Sequence, residues 1–272
     1  MTITQKTPVP LVGTGIRKPI QNIVGNVSQN IACPAWGTRN GKAKEGGKGM
    51  IYLYSGTPGS GKSLHTSRVI YWTLKRGYPV LANFPVNTGN IRKAKGEFVE
   101  VANDTLTPKY LINYARGYFQ GRRVVEGKIL LILDECQLIF NAREWNTKGR
   151  NEWLSFFTQH RKFGYDVILV AQFDRMIDRQ IRALIEYEQI HRKVSNFGIK
   201  GKVLSAFCLG NLFVSVKVWY PMKEKVGSEF FIAHKKYYSL YDTFGMFAPA
   251  TAGIKGSPQG EGADMTDEKA SG

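Results

Sequence analysis

The stretch Tyr52–Trp72, YLYSGTPGSGKSLHTSRVIYW, decides how the rest of the chain is read. It sets a glycine-rich turn between an apolar run, MIYLYS at Met50–Ser55, and an amphipathic run from Gly61 to Arg76 that Gly77 can close in a left-handed cap. Within the turn, Gly56, Thr57, Pro58, Gly59, Ser60, Gly61, Lys62 and Ser63 satisfy GxxxxGK followed by Ser or Thr, in the strand-to-helix setting that gives this pattern its meaning. Glycines let successive backbone N–H groups turn inward as an anion nest, and the start of the helix adds partial positive charge. Leu64, next in line, is grouped with these phosphate-binding residues. Lys62 is placed to reach the β- and γ-phosphates of ATP, and the Ser63 hydroxyl to sit on Mg²⁺.

Working outward, strands and helices alternate. YPVLANF reads as a second strand, and TPKYLINYARGYF as a helix with Thr107 as N-cap and Pro108 in its first turn. KILLILDE is a continuous apolar run, the mark of a strand buried on both faces of a parallel sheet. Trp153, Phe156, Phe157 and His160 recur at helical spacing in NEWLSFFTQHRKFG, which Gly164 ends, and YDVILVAQ is a fourth strand. A helix is expected from near Asp174, with Ile177, Ile181, Leu184 and Ile185 on one face. From Val203 to Tyr220, VLSAFCLGNLFVSVKVWY reads as a two-strand hairpin turning at Gly210 and Asn211. The pattern predicts a three-layer α/β domain of the P-loop NTPase type, its central sheet mostly parallel, with a strand-rich C-terminal segment. The expected organisation is a flexible basic arm over 1–48, a P-loop ATPase core over 49–195, a β-rich extension completing or flanking it over 196–246, and a flexible tail over 247–272.

A bound nucleotide with magnesium needs an acidic partner. ILLILDECQ supplies it, because the buried strand carries Asp134 and Glu135 to its C-terminal end, on the same sheet edge as the phosphate loop. Asp134 is expected to hold Mg²⁺ through a water, and Glu135 to polarise the water that attacks the γ-phosphate. Adjacent Asp and Glu at this place favour hydrolysis over phosphoryl transfer to a bound acceptor. Gln172, at the end of VILVAQ, could sense the γ-phosphate or orient the water, and equally could be a polar residue ending a strand. Asn83 occupies a similar place after YPVLA. Arg150, Arg161, Arg179, Arg182 and Arg192 are candidates for an arginine finger supplied by a neighbouring subunit.

The remaining composition bounds the partners. Lys and Arg number 38 against 21 Asp and Glu, a formal net charge of +17 over 272 residues, which draws the chain to polyanions such as nucleic acid or an anionic membrane face. Cys33, Cys136 and Cys208 are widely spaced without a CxxC pair, arguing for a reducing compartment, and His65, His160, His191 and His234 lack metal-ligand spacing. The N-terminal residues carry no apolar core of signal-peptide length, and no run approaches the roughly 20 apolar residues of a spanning helix.

Taken in order, YLYSGTPGSGKSLHTSRVI, YPVLANFPV, LLILDECQLIF, FTQHRKFGYDVILVAQFDRMIDRQIR and YYSLYDTFG resemble the N-terminal ATPase domain of the zonular occludens toxin (Zot) family, over about residues 49 to 246. That family includes the morphogenesis ATPases of filamentous bacteriophages and is similar to the FtsK and HerA class of DNA-pumping motors. The resemblance implies an ATP-hydrolysing motor for assembly and extrusion of a single-stranded DNA virion at the cytoplasmic face of the host inner membrane. It makes Lys62 and Ser63 the Walker A residues, Asp134 and Glu135 the Walker B pair, and Gln172 the glutamine after the next strand. The partners it implies are further copies of the chain in a ring, a hexamer being one candidate, phage single-stranded DNA or its nucleoprotein complex, coat protein and a membrane assembly partner. Familiar members continue into a transmembrane helix, whereas this chain ends in a polar tail, so a membrane partner or peripheral contact through basic residues would replace the anchor. Two other functions fit the same residues: a soluble DNA translocase or packaging ATPase, and a nucleotide-switched nucleic-acid-binding protein without sustained turnover.

Overall fold

The computed structural model describes residues 48–141, 149–207 and 211–241. The expected tail, most of the expected arm, Cys33, Cys208 and the end of the LYDT stretch lie outside the described residues. Within them one eight-stranded sheet organises the chain, in the order β3-β2-β4-β5-β1-β6-β7-β8. Its strands are β1 (Ile51–Ser55), β2 (Val80–Ala82), β3 (Phe98–Glu100), β4 (Ile129–Leu133), β5 (Tyr165–Val170), β6 (Tyr187–Lys193), β7 (Leu212–Trp219) and β8 (Glu224–Ile232). From β3 through β6 all pairings are parallel, and β7 and β8 add antiparallel strands beyond β6.

The two-residue period of a strand explains why the central runs are apolar throughout. Ile51 and Leu53 of β1, Ile129, Leu131 and Leu133 of β4, and Val167 and Leu169 of β5 point into one core. Tyr52 and Tyr54, Leu130 and Ile132, and Ile168 and Val170 point into the other. The first core is covered by α2 (Pro108–Tyr118), α3 (Arg150–Gln159) and α4 (Arg179–Arg182), which contribute Leu111, Trp153, Phe156, Phe157 and Ile181. The second is covered by α1 (Lys62–Lys75) through Val69, Ile70 and Leu74, with Phe84 and Leu240 closing its margin. Each of these fully buried aliphatic side chains contributes about 1.5–3 kcal/mol over its exposed state, so neither covering layer is dispensable.

Local chemistry sets the helix ends. Thr107 accepts from the Tyr110 N–H with Pro108 behind it, as the sequence predicts, and Gly77 and Gly164 take the left-handed conformation after α1 and after the turn that follows α3. Two expectations are corrected. The helix expected from Asp174 is a turn at Asp174–Met176 followed by an extended Ile177, and α4 starts only at Arg179 because Asp178 caps it, accepting from the Gln180 and Ile181 N–H groups. Ile177, Ile181 and Ile185 are nonetheless buried in the first core.

The first arm of the expected hairpin is also helical. Residues Gly198–Phe207 form α5, and the strand begins only at Leu212. The buried residues Gly201 and Ser205 lie one helical turn apart, and a Cβ at Gly201 would come within 2.3 Å of the Val194 carbonyl oxygen. Small residues at that spacing let α5 close on the Val194–Asn196 turn. The last helix among the described residues, α6 (Lys235–Tyr238), packs on α1, and Arg68 of α1 bonds Glu229 of β8 at 2.8 Å, tying the antiparallel strands to the helix that follows the glycine-rich turn.

Candidate functional site

At the C-terminal ends of the parallel strands the chain leaves β1 through Gly56 and enters α1 at Lys62. Gly56, Gly59 and Gly61 all have positive φ, and the Gly61 carbonyl accepts the His65 N–H at 3.0 Å. The N-cap residue Gly61 has no side chain to cap the first turn of α1 and no acidic residue lies in that turn, which suits the helix start to an anion. The Ser60 hydroxyl is buried without a hydrogen-bond partner among the described residues, an orphan polar atom under the loop. The Leu64 side chain is core, packed with Phe213, Phe231 and Tyr237, so only its main chain is available to a ligand.

The loop depends on glycine at its last position. Gly61 sits at φ 96°, and a Cβ there would lie 2.6 Å from the Phe213 ring. Gly61→Ala is therefore expected to destabilise the fold by about 1–3 kcal/mol through backbone strain and overpacking, read as a lower urea midpoint at unchanged slope, and to weaken nucleotide binding in the same protein.

Lys62 turns back on its own loop, its ammonium donating to the Gly56 carbonyl at 2.7 Å and the Thr57 carbonyl at 3.3 Å. Partial burial pulls its pKa down, while the charges of Glu135 and Asp134 push it back up. The two motifs lie at one edge of the sheet, since β4 and β1 are both parallel neighbours of β5. Strand β5 lies between β1 and β4, so Gln172, just past β5, stands between them, and its carbonyl accepts the Gly56 N–H at 3.2 Å.

The carboxylates are held by partners from distant parts of the chain. Asn83, after β2, clamps the Asp134 main chain on both sides: its Oδ1 accepts the Asp134 N–H at 2.7 Å and its Nδ2 donates to the Asp134 carbonyl at 3.0 Å. Asp134 Oδ1 accepts the Glu135 N–H at 2.9 Å, and Oδ2 accepts the Tyr241 hydroxyl. Burial raises the Asp134 pKa, and these hydrogen bonds oppose the shift. Glu135 adopts φ 46°, ψ 43°, a left-handed conformation that costs a non-glycine residue on the order of 1–3 kcal/mol and turns the chain sharply after the strand. The Gln137 side-chain amide donates to its carboxylate.

Two histidines with no recognisable spacing brace the loop from behind. His65 Nδ1 lies 2.8 Å from His191 Nε2, and His191 Nδ1 lies 3.3 Å from the Ser55 carbonyl oxygen. Burial lowers both pKa values, that of His191 to about 4, so both rings are neutral near pH 7 and one donates to the other. The Ser55 hydroxyl donates to Glu188 at 2.7 Å. A cavity of about 440 Å³ opens beside the loop, bordered by Thr57, Gln172, Phe173, His191 and Phe197.

Of the candidate arginines, Arg150 pairs with Asp178 at 2.7 Å, and Arg161 pairs with Glu186 while its Nε donates to the Gly49 carbonyl. Both have structural work within the subunit. Arg182 reaches the Asp174 carbonyl at 3.4 Å, and Arg179 and Arg192 are exposed. Among the described residues no helix is long and apolar enough to cross a membrane.

A family model for the zonular occludens toxin (Zot) matches residues 50–244. Among curated proteins, the Gene 1 protein of Enterobacteria phage I2-2 is 32% identical over 169 residues, 60% of this chain and 46% of that protein. The Gene 1 protein of Enterobacteria phage M13 is 31% identical over 139 residues, 50% of this chain and 39% of that protein. Each alignment spans less than half the length of the curated relative. Among solved structures, the N-terminal domain of zonular occludens toxin from Neisseria meningitidis aligns with TM-score 0.47 at 18% identity, covering 71% of this chain and 98% of that one. The genome packaging NTPase B204 of Sulfolobus turreted icosahedral virus 2, in complex with ATP-gammaS, aligns with TM-score 0.41 at 15% identity, covering 65% and 94%.

Proposed function

Because the chain belongs to the zonular occludens toxin (Zot) family, we propose that it is a magnesium-dependent ATPase driving the assembly and extrusion of a filamentous, single-stranded DNA virion at the cytoplasmic face of the host inner membrane. One observation supports the catalytic part: β4, β5 and β1 are parallel neighbours, so Asp134 and Glu135 after β4, Gln172 after β5 and the glycine-rich loop after β1 leave the sheet at one edge. The donor set suits a hard cation with phosphate, since a serine hydroxyl, a carboxylate and an uncapped helix start offer oxygen ligands and anion-binding N–H groups together. When bound there, Mg²⁺ would neutralise developing phosphate charge, held by Ser63 and, through water, by Asp134.

The chain's own residues divide the work. Lys62 exchanges the carbonyls of Gly56 and Thr57 for β- and γ-phosphate oxygens, a gain because an anionic acceptor replaces a neutral one for the same ammonium donor. Loop N–H groups of Gly59, Gly61, Lys62, Ser63 and Leu64 cradle the phosphates, while the Ser60 N–H closes the turn on the Thr57 carbonyl at 3.1 Å. Glu135, pushed out of the strand line by its left-handed turn, takes the proton of the attacking water, and Gln172 orients that water or senses the γ-phosphate. Motor action requires further copies of the chain, with Arg179, Arg182 or Arg192 acting across a subunit boundary. The net charge of +17 suits a DNA or nucleoprotein cargo. Coat protein and a membrane assembly partner complete the proposed machinery.

The test is steady-state phosphate release by the purified full chain with and without single-stranded DNA, alongside sizing with a non-hydrolysable ATP analogue. The expected result is sustained turnover, raised several-fold by DNA, and a larger species with the analogue. A single turnover followed by arrest would instead identify a nucleotide switch.

A further inference from the structure

Tyr241 belongs to neither sequence motif, yet its phenol lies at the centre of the site. The hydroxyl donates to Asp134 Oδ2, in the crevice that Ser63 borders at the start of α1. Asp134 is the side chain assigned above to the metal through a water, and the phenol already occupies one of its oxygens.

The placement is built rather than incidental. The Tyr241 ring packs on Phe84 with centroids 5.0 Å apart. Just before it, Leu240 is fully buried, its carbonyl accepts the Asn87 N–H at 3.0 Å, and Asn90 Nδ2 donates to the Ser239 carbonyl at 3.0 Å. Tyr237 is buried edge-on against Tyr71 of α1. Residues 237–241 therefore strap across α1 and end with the phenol beside Asp134.

Mg²⁺ lies about 2.1 Å from an oxygen ligand and keeps several waters in an octahedral shell. Asp134 is proposed to reach that shell through one of those waters, and the Tyr241 hydroxyl already donates to its Oδ2, so the phenol and the metal's water compete for one place. We propose that Tyr241 is the residue that holds the metal position in the nucleotide-free protein, and that its phenol is exchanged for the hydrated ion when magnesium nucleotide binds, loosening the 237–241 strap. This rests on the nucleotide site proposed above. Its consequence is a direct link between occupancy of the γ-phosphate end of the site and the chain that continues beyond Tyr241.

Hydrogen exchange of the full chain, followed by mass spectrometry, tests the link under three conditions: no nucleotide, ATP-γ-S with EDTA, and ATP-γ-S with Mg²⁺. Amides of 237–241 are expected to exchange about tenfold faster only with Mg²⁺, because the strap is then released to open locally. Tyr241→Phe keeps the ring on Phe84 and removes the competing hydroxyl. It is expected to lower the Mg²⁺ concentration that half-stabilises the nucleotide complex by about tenfold, the scale of one hydrogen bond to a charged group, with ATP-γ-S affinity in EDTA unchanged. Equal protection of 237–241 in all three conditions, or a Tyr241→Phe midpoint that is unchanged or raised, would overturn the proposal while leaving the nucleotide site standing. Failure of ATP-γ-S to bind in either medium would overturn both.

Discussion

Lys62→Ala is expected to weaken ATP binding by at least about a hundredfold while leaving the fold intact. Hydrogen bonds between a charged group and its partner are worth about 1.5–3 kcal/mol each, so losing contacts to two phosphate groups removes roughly 3–6 kcal/mol, or two to four decades in affinity. A second effect acts in the same direction. Asp134 and Glu135 face the same crevice, and without the ammonium their negative charge would meet the phosphates uncompensated. Stability has little to lose, because the side chain is only partly buried and its bonds go to carbonyls of its own loop. Titration with a fluorescent ATP analogue, with thermal unfolding as the control, separates the two quantities. Unchanged affinity at unchanged melting temperature would remove the phosphate role of the loop altogether.

How far the site was legible depends on whether its parts are local in sequence. The glycine-rich loop is local: strand, glycines, lysine, serine and helix follow one another, so pattern and context can be checked together. Asp134 and Glu135 were legible for a related reason, since an unbroken apolar run buried on both faces delivers whatever follows it to a sheet edge. What no local pattern reveals is the strand order. With β5 between β1 and β4, the residues completing the site arrive from Asn83 after β2, Gln172 after β5, His191 in β6 and Tyr241 beyond α6. Asn83 and Gln172 carried a weak signal, as polar residues ending apolar strands. His191 carried none, because a lone histidine in a β-segment is common, and Tyr241 stood in the YYSLYDTFG stretch of the resemblance without a role, because its partners are set by packing.

The misread elements fail for equally physical reasons. Phe98–Glu100 is three residues long and only partly buried, too short for any period to emerge, and it passed unassigned. The apolar residues of 203–207 fit a strand or a helix equally well, and the deciding feature, the close approach of Gly201 to Val194, is tertiary. The isoleucines at 177, 181 and 185 do share a buried face, but the Asp178 cap interrupts the helix that would have joined them.

Glu135→Gln is expected to preserve ATP binding and cut turnover by at least about a hundredfold, the usual scale for loss of a positioned general base. The substitution changes little else. Glutamine keeps the length of the side chain, its carbonyl oxygen can still accept the Gln137 amide, and both residues meet the same backbone strain at φ 46°. What disappears is a negative charge and the capacity to take a proton from water. Removal of that charge near Lys62 favours anionic phosphate, so affinity should hold or rise slightly, opposite in sign to the effect on rate. That opposition makes the experiment diagnostic. Phosphate release measured under saturating ATP, beside analogue affinity in the same preparation, distinguishes a lost base from a damaged site, because damage lowers both. Gln172 cannot take over: an amide orients water but does not deprotonate it. Turnover close to the parent rate would mean that the water is activated by a group outside this crevice, leaving Glu135 as a turn residue whose strain has no catalytic purpose.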